Sequence, residues 1–169
     1  LSKSVLSLFL PAGLLDYFDT TEASNMGDCF MLVLVENDIV LENLQDLLLI
    51  SNGFQKPITV TDFPVRDHTM YFRIKRRRWL DKSTGKSYSR DWDLVASGTR
   101  ITAEFGAFLK ELLDTHAVSI KSVAEFTHLK ANVINDYYKN HLSGFHSWNQ
   151  KNIQMNLLFM PATSVNILP

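Results

Sequence analysis

Arg73, Lys75, Arg76, Arg77, Arg78, Lys82, Lys86 and Arg90 all fall within the stretch FRIKRRRWLDKSTGKSYSRDW at 72–92, against Asp81 and Asp91. They are eight of the 17 basic residues in a chain whose net charge is only −1. The chemistry open to such a cluster is phosphate neutralisation. Cations concentrated on one face build a local potential that a nearly neutral chain otherwise lacks. Five of the eight are arginine, whose planar fork grips phosphate through paired hydrogen bonds. Tyr71, Trp79, Tyr88 and Trp92 are interleaved with them. Some of these rings must be core, but an aromatic on a basic strand can also stack on a base. The competing reading is a solvated strand, whose lysines keep an exposed edge from aggregating.

A second set of residues suited to nucleic acid follows in IKSVAEFTHLKANVINDYYKNHL. The spacing predicts two short helices, about 119–127 and 131–140, separated by a tight turn. Ala124 is the small residue at their closest approach, and Val123, Leu129, Ile134 and Tyr137 fall where they fill the interface. In that register Lys130, Asn132, Asn135, Asp136 and Lys139 lie on the exposed side of the second helix. Asparagine suits adenine in the major groove, and lysine suits guanine or phosphate. The pattern fits a helix-turn-helix, with His128 where a glycine often makes the turn. An ordinary helical hairpin with a solvated face has the same spacing. Arg100, ahead of the longer helical segment, joins the candidate contacts.

Other chemistry finds no support. The five histidines, His68, His116, His128, His141 and His146, are scattered outside any ligand pattern, and no metal site is expected. There is no Gly-rich phosphate loop, no nucleophile elbow and no readable triad, so neither catalytic residues nor a cofactor are expected. Asp91 and Asp93 share a face two residues apart. A metal-dependent nuclease could use such a pair, but beside Arg76–Arg78 and Arg90 they read as ion-pair partners. The single cysteine, Cys29, sits in an apolar run and reads as a small buried hydrophobe in a reduced compartment.

These residues need elements to hold them. With 169 residues and 46% hydrophobic content the chain can bury a real core. LSKSVLSLFLPAG predicts a short amphipathic helix, Leu6 and Leu10 on one face, stopped by Pro11 and Gly13; its apolar run is too short to span a membrane. DCFMLVLVE at 28–36 predicts a buried strand, and 41–49 is ambiguous between helix and strand. Asn52-Gly53 signals a turn, Ile58 and Val60 begin a half-buried strand, and Pro64 ends it. HTMYFRIKRRRW alternates: Tyr71, Arg73, Lys75, Arg77 and Trp79 on one face, Met70, Phe72, Ile74, Arg76 and Arg78 on the other. A turn at 81–86 and a return strand at 87–95 complete a hairpin with a basic tip. From 99 the spacing of Ile101, Phe105, Phe108, Leu109 and Leu112 is helical, with Thr102 as N-cap. The fold class expected is α+β: a small antiparallel β-sheet with a basic hairpin over 1–96, a helix-turn-helix region over 97–146, and a divergent tail over 147–169.

ITVTDFPVRDHTMYFRIKRRRWLDKSTGKSYSRDWDLVASGTRITAEFGAFLKELL, with NDYYKNHLSGFHSWNQK, resembles the N-terminal region of a family of bacterial insertion-sequence transposases. The resemblance covers most of residues 5–151, and KRRRW, SRDWDLVASGTR and YYKNHLSGF are its most specific parts. It implies a β-rich part, a helix-turn-helix and, in relatives, an RNase H-like domain with three acidic residues, which is not expected here. More distant relatives carry a zinc ribbon, with a cysteine pair just after the RRRW-like strand. This chain has LDKSTGK there, so no metal is implied, and the hairpin must be held by packing and its turn. The tail NIQMNLLFMPATSVNILP departs from the family. Gln150-Lys151-Asn152 can be encoded CAA AAA AAC, which contains the slippery heptamer A AAA AAC, so the chain reads as the unshifted product of a frameshifting gene, the alternative being a decayed gene copy with a frameshift mutation. The resemblance implies a non-catalytic DNA-binding product in the bacterial cytoplasm, associated with the nucleoid. Its expected partners are double-stranded DNA at the element's terminal repeats and possible pairing with itself or a full transposase. Its expected contacts are Arg73, Lys75, Arg76, Arg77, Arg78, Trp79, Lys82, Lys86, Arg90, Arg100, Lys130, Asn132, Asn135 and Lys139. The alternative is a protein-interaction module, working through its apolar N-terminal segment and 41–50, with a hairpin that only solubilises.

Overall fold

The computed structural model describes residues 3–40, 47–90, 92–115 and 118–143. The fold is α+β. The chain opens with two single-turn helices, α1 (Lys3–Leu6) and α2 (Leu14–Tyr17), and continues into β1 (Phe18–Asn25) and β2 (Cys29–Glu36). After 41–46 come β3 (Leu49–Phe54), β4 (Ile58–Val65), β5 (His68–Lys75), β6 (Arg77–Asp81) and the two-residue β7 (Ser87–Tyr88). Three helices follow: α3 (Ala103–Thr115), α4 (Ile120–Thr127) and α5 (Ala131–Tyr137), the last running into a π-helical turn at Tyr138–Leu142. The tail from 144 lies outside the described residues, and so do His116, His146 and Asp91.

The strands form two sheets, ordered β1-β2-β5-β4 and β3-β6-β7. The larger one is mixed rather than wholly antiparallel, because β2 and β5 run parallel at its centre. Sequence alternation identifies strands but not their direction, so this pairing was not readable. Leu32 and Leu34 of β2, Val60 of β4, and Met70, Phe72 and Ile74 of β5 share one face, which Leu10, Leu14 and Phe18 cover. The N-terminal segment thus packs onto the sheet, but the helix expected up to Pro11 is a single turn ending at Leu6, and Leu10 is buried from the bend beyond it. A second core of Ile101, Phe105, Leu109, Val123 and Ile134 lies among the helices. Phe63 of β4 packs against this second core, with ring centroids 4.9 Å from Phe105 and 5.4 Å from Phe108.

Two punctuation signals act differently from expectation. Asn52-Gly53 turns no corner; it forms a bulge inside β3, with Gly53 at φ 71°, where the register to β6 shifts. Glycine takes this left-handed backbone at no steric cost. Pro64 does not end β4 either. It sits in an irregularity between Asp62 and Val65 on the sheet's outermost strand, where its missing N–H costs no ladder bond. The outer edge of β4 is partly closed by 100–102: Thr61 N–H donates to Arg100 O (2.8 Å) and Thr102 N–H to Thr61 O (2.9 Å).

Candidate nucleic-acid interface

The basic strand is broken at Arg76. In β5 the even residues Met70, Phe72 and Ile74 point inward, but in β6 it is the odd residues Trp79 and Asp81 that are buried. The chain crosses from one sheet to the other at Arg76, and the inward phase changes there. A uniform alternation over 68–79 is therefore corrected. Trp79 is not available as a stacking surface: it is 1% exposed, and its indole N–H donates to Asp38 Oδ1 at 3.1 Å. The return strand predicted over 87–95 is only Ser87–Tyr88.

This geometry sorts the eight cations of 73–90. Arg77 and Arg90 turn inward around Glu36, a residue the sequence reading passed over. The backbone N–H of Arg77 donates to Glu36 Oε2 (2.8 Å), and its guanidinium donates to Glu36 O (3.3 Å) and Ser51 Oγ (2.9 Å). The Arg77 guanidinium also lies 3.6 Å from Asp38 and 4.9 Å from the Phe54 ring centroid. Arg90 donates to Ile39 O (2.9 Å) and stands 3.5 Å from Glu36 Oε1. Its guanidinium rests 4.6 Å from the Tyr17 centroid and 4.9 Å from Trp92. Glu36 is 2% exposed, and burial pushes its carboxyl above the ordinary range, opposed by Arg77, Trp92 and Arg90. These two arginines are committed to holding the sheets together. The carboxylates that face them come from Glu36 and Asp38; Asp93 is exposed, and Asp91 is outside the described residues.

The remaining cations face water to different degrees. Arg73, Arg78, Lys82 and Lys86 are exposed, while Lys75 and Arg76 are half-buried. Among the described residues, none of these six has a carboxylate within ion-pair distance. Arg78 Nε donates to Asn52 O at 3.2 Å. Arg76 lines a cavity of about 190 Å³ with Phe18, Ile58, Ile74, Trp92, Leu94 and Val95.

The hairpin turn is organised by Asp81. Its carboxylate accepts from Ser83 N–H (2.9 Å), Ser83 Oγ (2.7 Å) and Thr84 Oγ1 (2.6 Å). Gly85 N–H donates to Asp81 O, and Asp81 N–H to Lys86 O. Hydrogen bonds from Thr84 and Ser83 hold the Asp81 carboxyl below its ordinary range. Lys82 and Lys86 are carried at the tip of this braced turn. Among the described residues no group of three or more His, Cys, Asp or Glu side chains could hold a metal ion.

The helical pair is built as its spacing requires. Ser119 caps α4 by accepting from Ser122 N–H (3.0 Å), and Thr102 caps α3 through Phe105 N–H (3.3 Å). Thr102 in turn donates to Asp62, whose carboxyl burial raises above its ordinary range. Val123 and Ile134 are 1% exposed, with Ala124, Leu129 and Tyr137 packed against them. His128 adopts φ 58°, ψ 15°, the left-handed conformation a glycine would take at this turn. Its Nε2 pairs with Asp67 Oδ1 at 2.9 Å, tying the turn to the β4–β5 hairpin. Lys130, Asn132, Asp136 and Lys139 are exposed, and Asn135 is half-buried. Arg100 is exposed beside the far end of α5, its backbone N–H donating to the Tyr137 hydroxyl (3.1 Å).

No family model, curated protein or solved structure matches the chain. Among the described residues no helix is long and apolar enough to cross a membrane.

Proposed function

We propose that this chain is the DNA-binding N-terminal region of an insertion-sequence transposase. It would bind double-stranded DNA at the element's ends without supplying catalytic carboxylates. One observation carries the reading: two helices meet at a left-handed turn, and the second exposes Asn132, with Lys130 just before it and Lys139 just after it also exposed and, among the described residues, without a carboxylate in ion-pair distance. In this role α5 reads base edges as the second helix of a helix-turn-helix. Arg78, Lys82 and Lys86 on the braced hairpin supply phosphate contacts. A product of this kind occupies the ends and regulates transposition by excluding or pairing with the full enzyme.

The test is binding of the purified chain to duplex DNA at about 50 and 200 mM salt. Affinity should fall steeply with salt, and Lys130→Ala with Asn132→Ala should erode preference for the element's terminal repeat over unrelated duplex. No detectable binding at the lower salt sinks the reading.

A second reading rests on a different observation. Leu6, Phe9, Leu10, Phe30, Met31 and Met70 line an apolar groove of about 470 Å³, with Phe9 61% exposed. That surface suits a protein-interaction module. Phe9→Asp would then abolish partner binding and leave DNA binding unchanged.

A further inference from the structure

A cationic concavity outside the hairpin lies at the start of β4. Lys56, Pro57, Ile58, Thr59 and Arg100 line an open cleft of about 400 Å³. Lys56, Thr59 and Arg100 are exposed, and neither cation has a carboxylate within ion-pair distance among the described residues. The backbone adds a donor. Thr61 directs its N–H and C=O outward, to Arg100 and Thr102, while Val60 and Asp62 face β5. Backbone groups two residues apart on a strand point the same way. Thr59 N–H therefore points outward too, beyond the end of the short 100–102 pairing. Arg73, also exposed, is the cross-strand partner of Thr59. Two cations, a hydroxyl and an outward N–H thus meet on one stretch of sheet edge, with Arg73 one strand inward on the face that Thr59 shares.

The position of this edge matters. The turn before α5 is tied to Asp67, beyond the far end of β4, while Tyr137 at the other end of α5 bonds Arg100. α5 therefore runs alongside the outer edge of β4, with the cleft near its C-terminal end and Lys130 near its N-terminal end. Seven helical residues span roughly 10 Å. That is close to the width of a DNA major groove, about 12 Å.

We propose that Lys56, Arg100, Thr59 and Arg73 form a phosphate clamp that grips the DNA backbone beside the groove entered by α5. This rests on the DNA-binding reading above and deepens it. It moves the main backbone anchor from the arginine-rich hairpin to the β4 edge, and it adds Lys56 and Thr59. The chemistry recognised is a phosphodiester; base identity plays no part.

The experiment uses the full chain and a fluorescent mixed-sequence 20-base-pair duplex, with anisotropy read across a salt series. Lys56→Ala with Arg100→Ala should lower affinity at low salt. It should also flatten the slope of log affinity against log salt by about two, roughly 0.9 per lost phosphate contact. Lys82→Ala with Lys86→Ala, on the hairpin tip, should change the slope less. Thermal unfolding of each variant confirms that the fold is kept, which these exposed positions favour. Wild-type slope and affinity in the Lys56/Arg100 variant overturn the clamp and leave the DNA reading standing. Absence of binding by the unaltered chain overturns both.

Discussion

The β6–β7 hairpin and the α4–α5 pair invite comparison because they reverse the ranking that charge counting suggests. The hairpin region holds the densest positive charge, yet Arg77 and Arg90 point inward and are neutralised around Glu36 and Asp38. The helical pair holds few cations, but Lys130 and Lys139 face water, and among the described residues neither has a carboxylate in ion-pair range. What a ligand feels is the charge left over after internal pairing. A run of arginines can be architecture, because guanidinium is the cation best suited to bridging carboxylates, carbonyls and rings at once.

The largest effect that could break this contrast is at Trp79. If β6 is architecture, Trp79→Ala should cost about 3–5 kcal/mol in urea unfolding, as loss of a fully buried aromatic does. An unfolding midpoint near wild type would return the ring to the candidate interface. Next, Arg77 and Arg78 should separate cleanly. Arg77→Ala keeps the backbone N–H to Glu36 Oε2 but removes the guanidinium from Glu36 O, Ser51 Oγ, Asp38 and the Phe54 ring, and should cost about 1–3 kcal/mol. Arg78→Ala should stay within about 0.5 kcal/mol in stability while weakening DNA binding. Equal stability effects from the two would dissolve the division into inward and outward arginines.

Titration sharpens the comparison further. Asp81 has its carboxyl lowered from the ordinary 3.8, so its contribution is present at neutral pH and is lost as pH falls below that value. Asp81→Ala should lower the unfolding temperature at pH 7 and remove that acid-side loss. Asp62 behaves oppositely. Its carboxyl is raised from 3.8 by burial, so folding pays a cost that sets in as pH rises through 3.8 toward the raised value. Asp62→Asn keeps an acceptor for Thr102, so relative to wild type it should gain stability as pH rises through that window. A constant difference across the window would contradict the assignment.

The last contrast lies at the helical turn. His128→Gly relieves a left-handed residue but loses an exposed hydrogen bond to Asp67, and should shift stability by less than about 1 kcal/mol. His128→Val, β-branched in that conformation, should cost about 1–2 kcal/mol. Comparable losses from both would mean that the Asp67 contact, and not the backbone, fixes the turn.

Much of this fold was legible. The apolar periods of 103–115, 120–127 and 131–137 named the helices and their interface, because Val123, Ala124, Leu129, Ile134 and Tyr137 recur at the spacing of one helix face. Thr102 marked a helix start through a side-chain oxygen that accepts an orphan N–H group, and Ser119, expected inside its helix, proves to be the cap of α4 in the same way. β1 was missed because FDTTEASN has neither alternation nor an apolar run; it is an edge strand, exposed along most of its length. Glu36 was missed because nothing local marks a glutamate that a strand 41 residues later will surround. Lys56 was missed because a lone lysine before a proline has no pattern. Only the parallel passage of 100–102 along β4 turns it into one wall of a cleft.

The sequence by itself determined the three later helices, the strands β2, β4 and β5, and the presence of a surplus of cations in 72–92, since period, caps and charge are local properties. Tertiary structure decided which of those cations remain free. The break at Arg76 changes which side of the strand faces inward, and that change sends Arg77 and Trp79 into the protein while leaving Arg78 outside. Alternation carries a period but no absolute phase relative to the core. The phase is set by which sheet each half of the strand joins, through pairings far away in the chain.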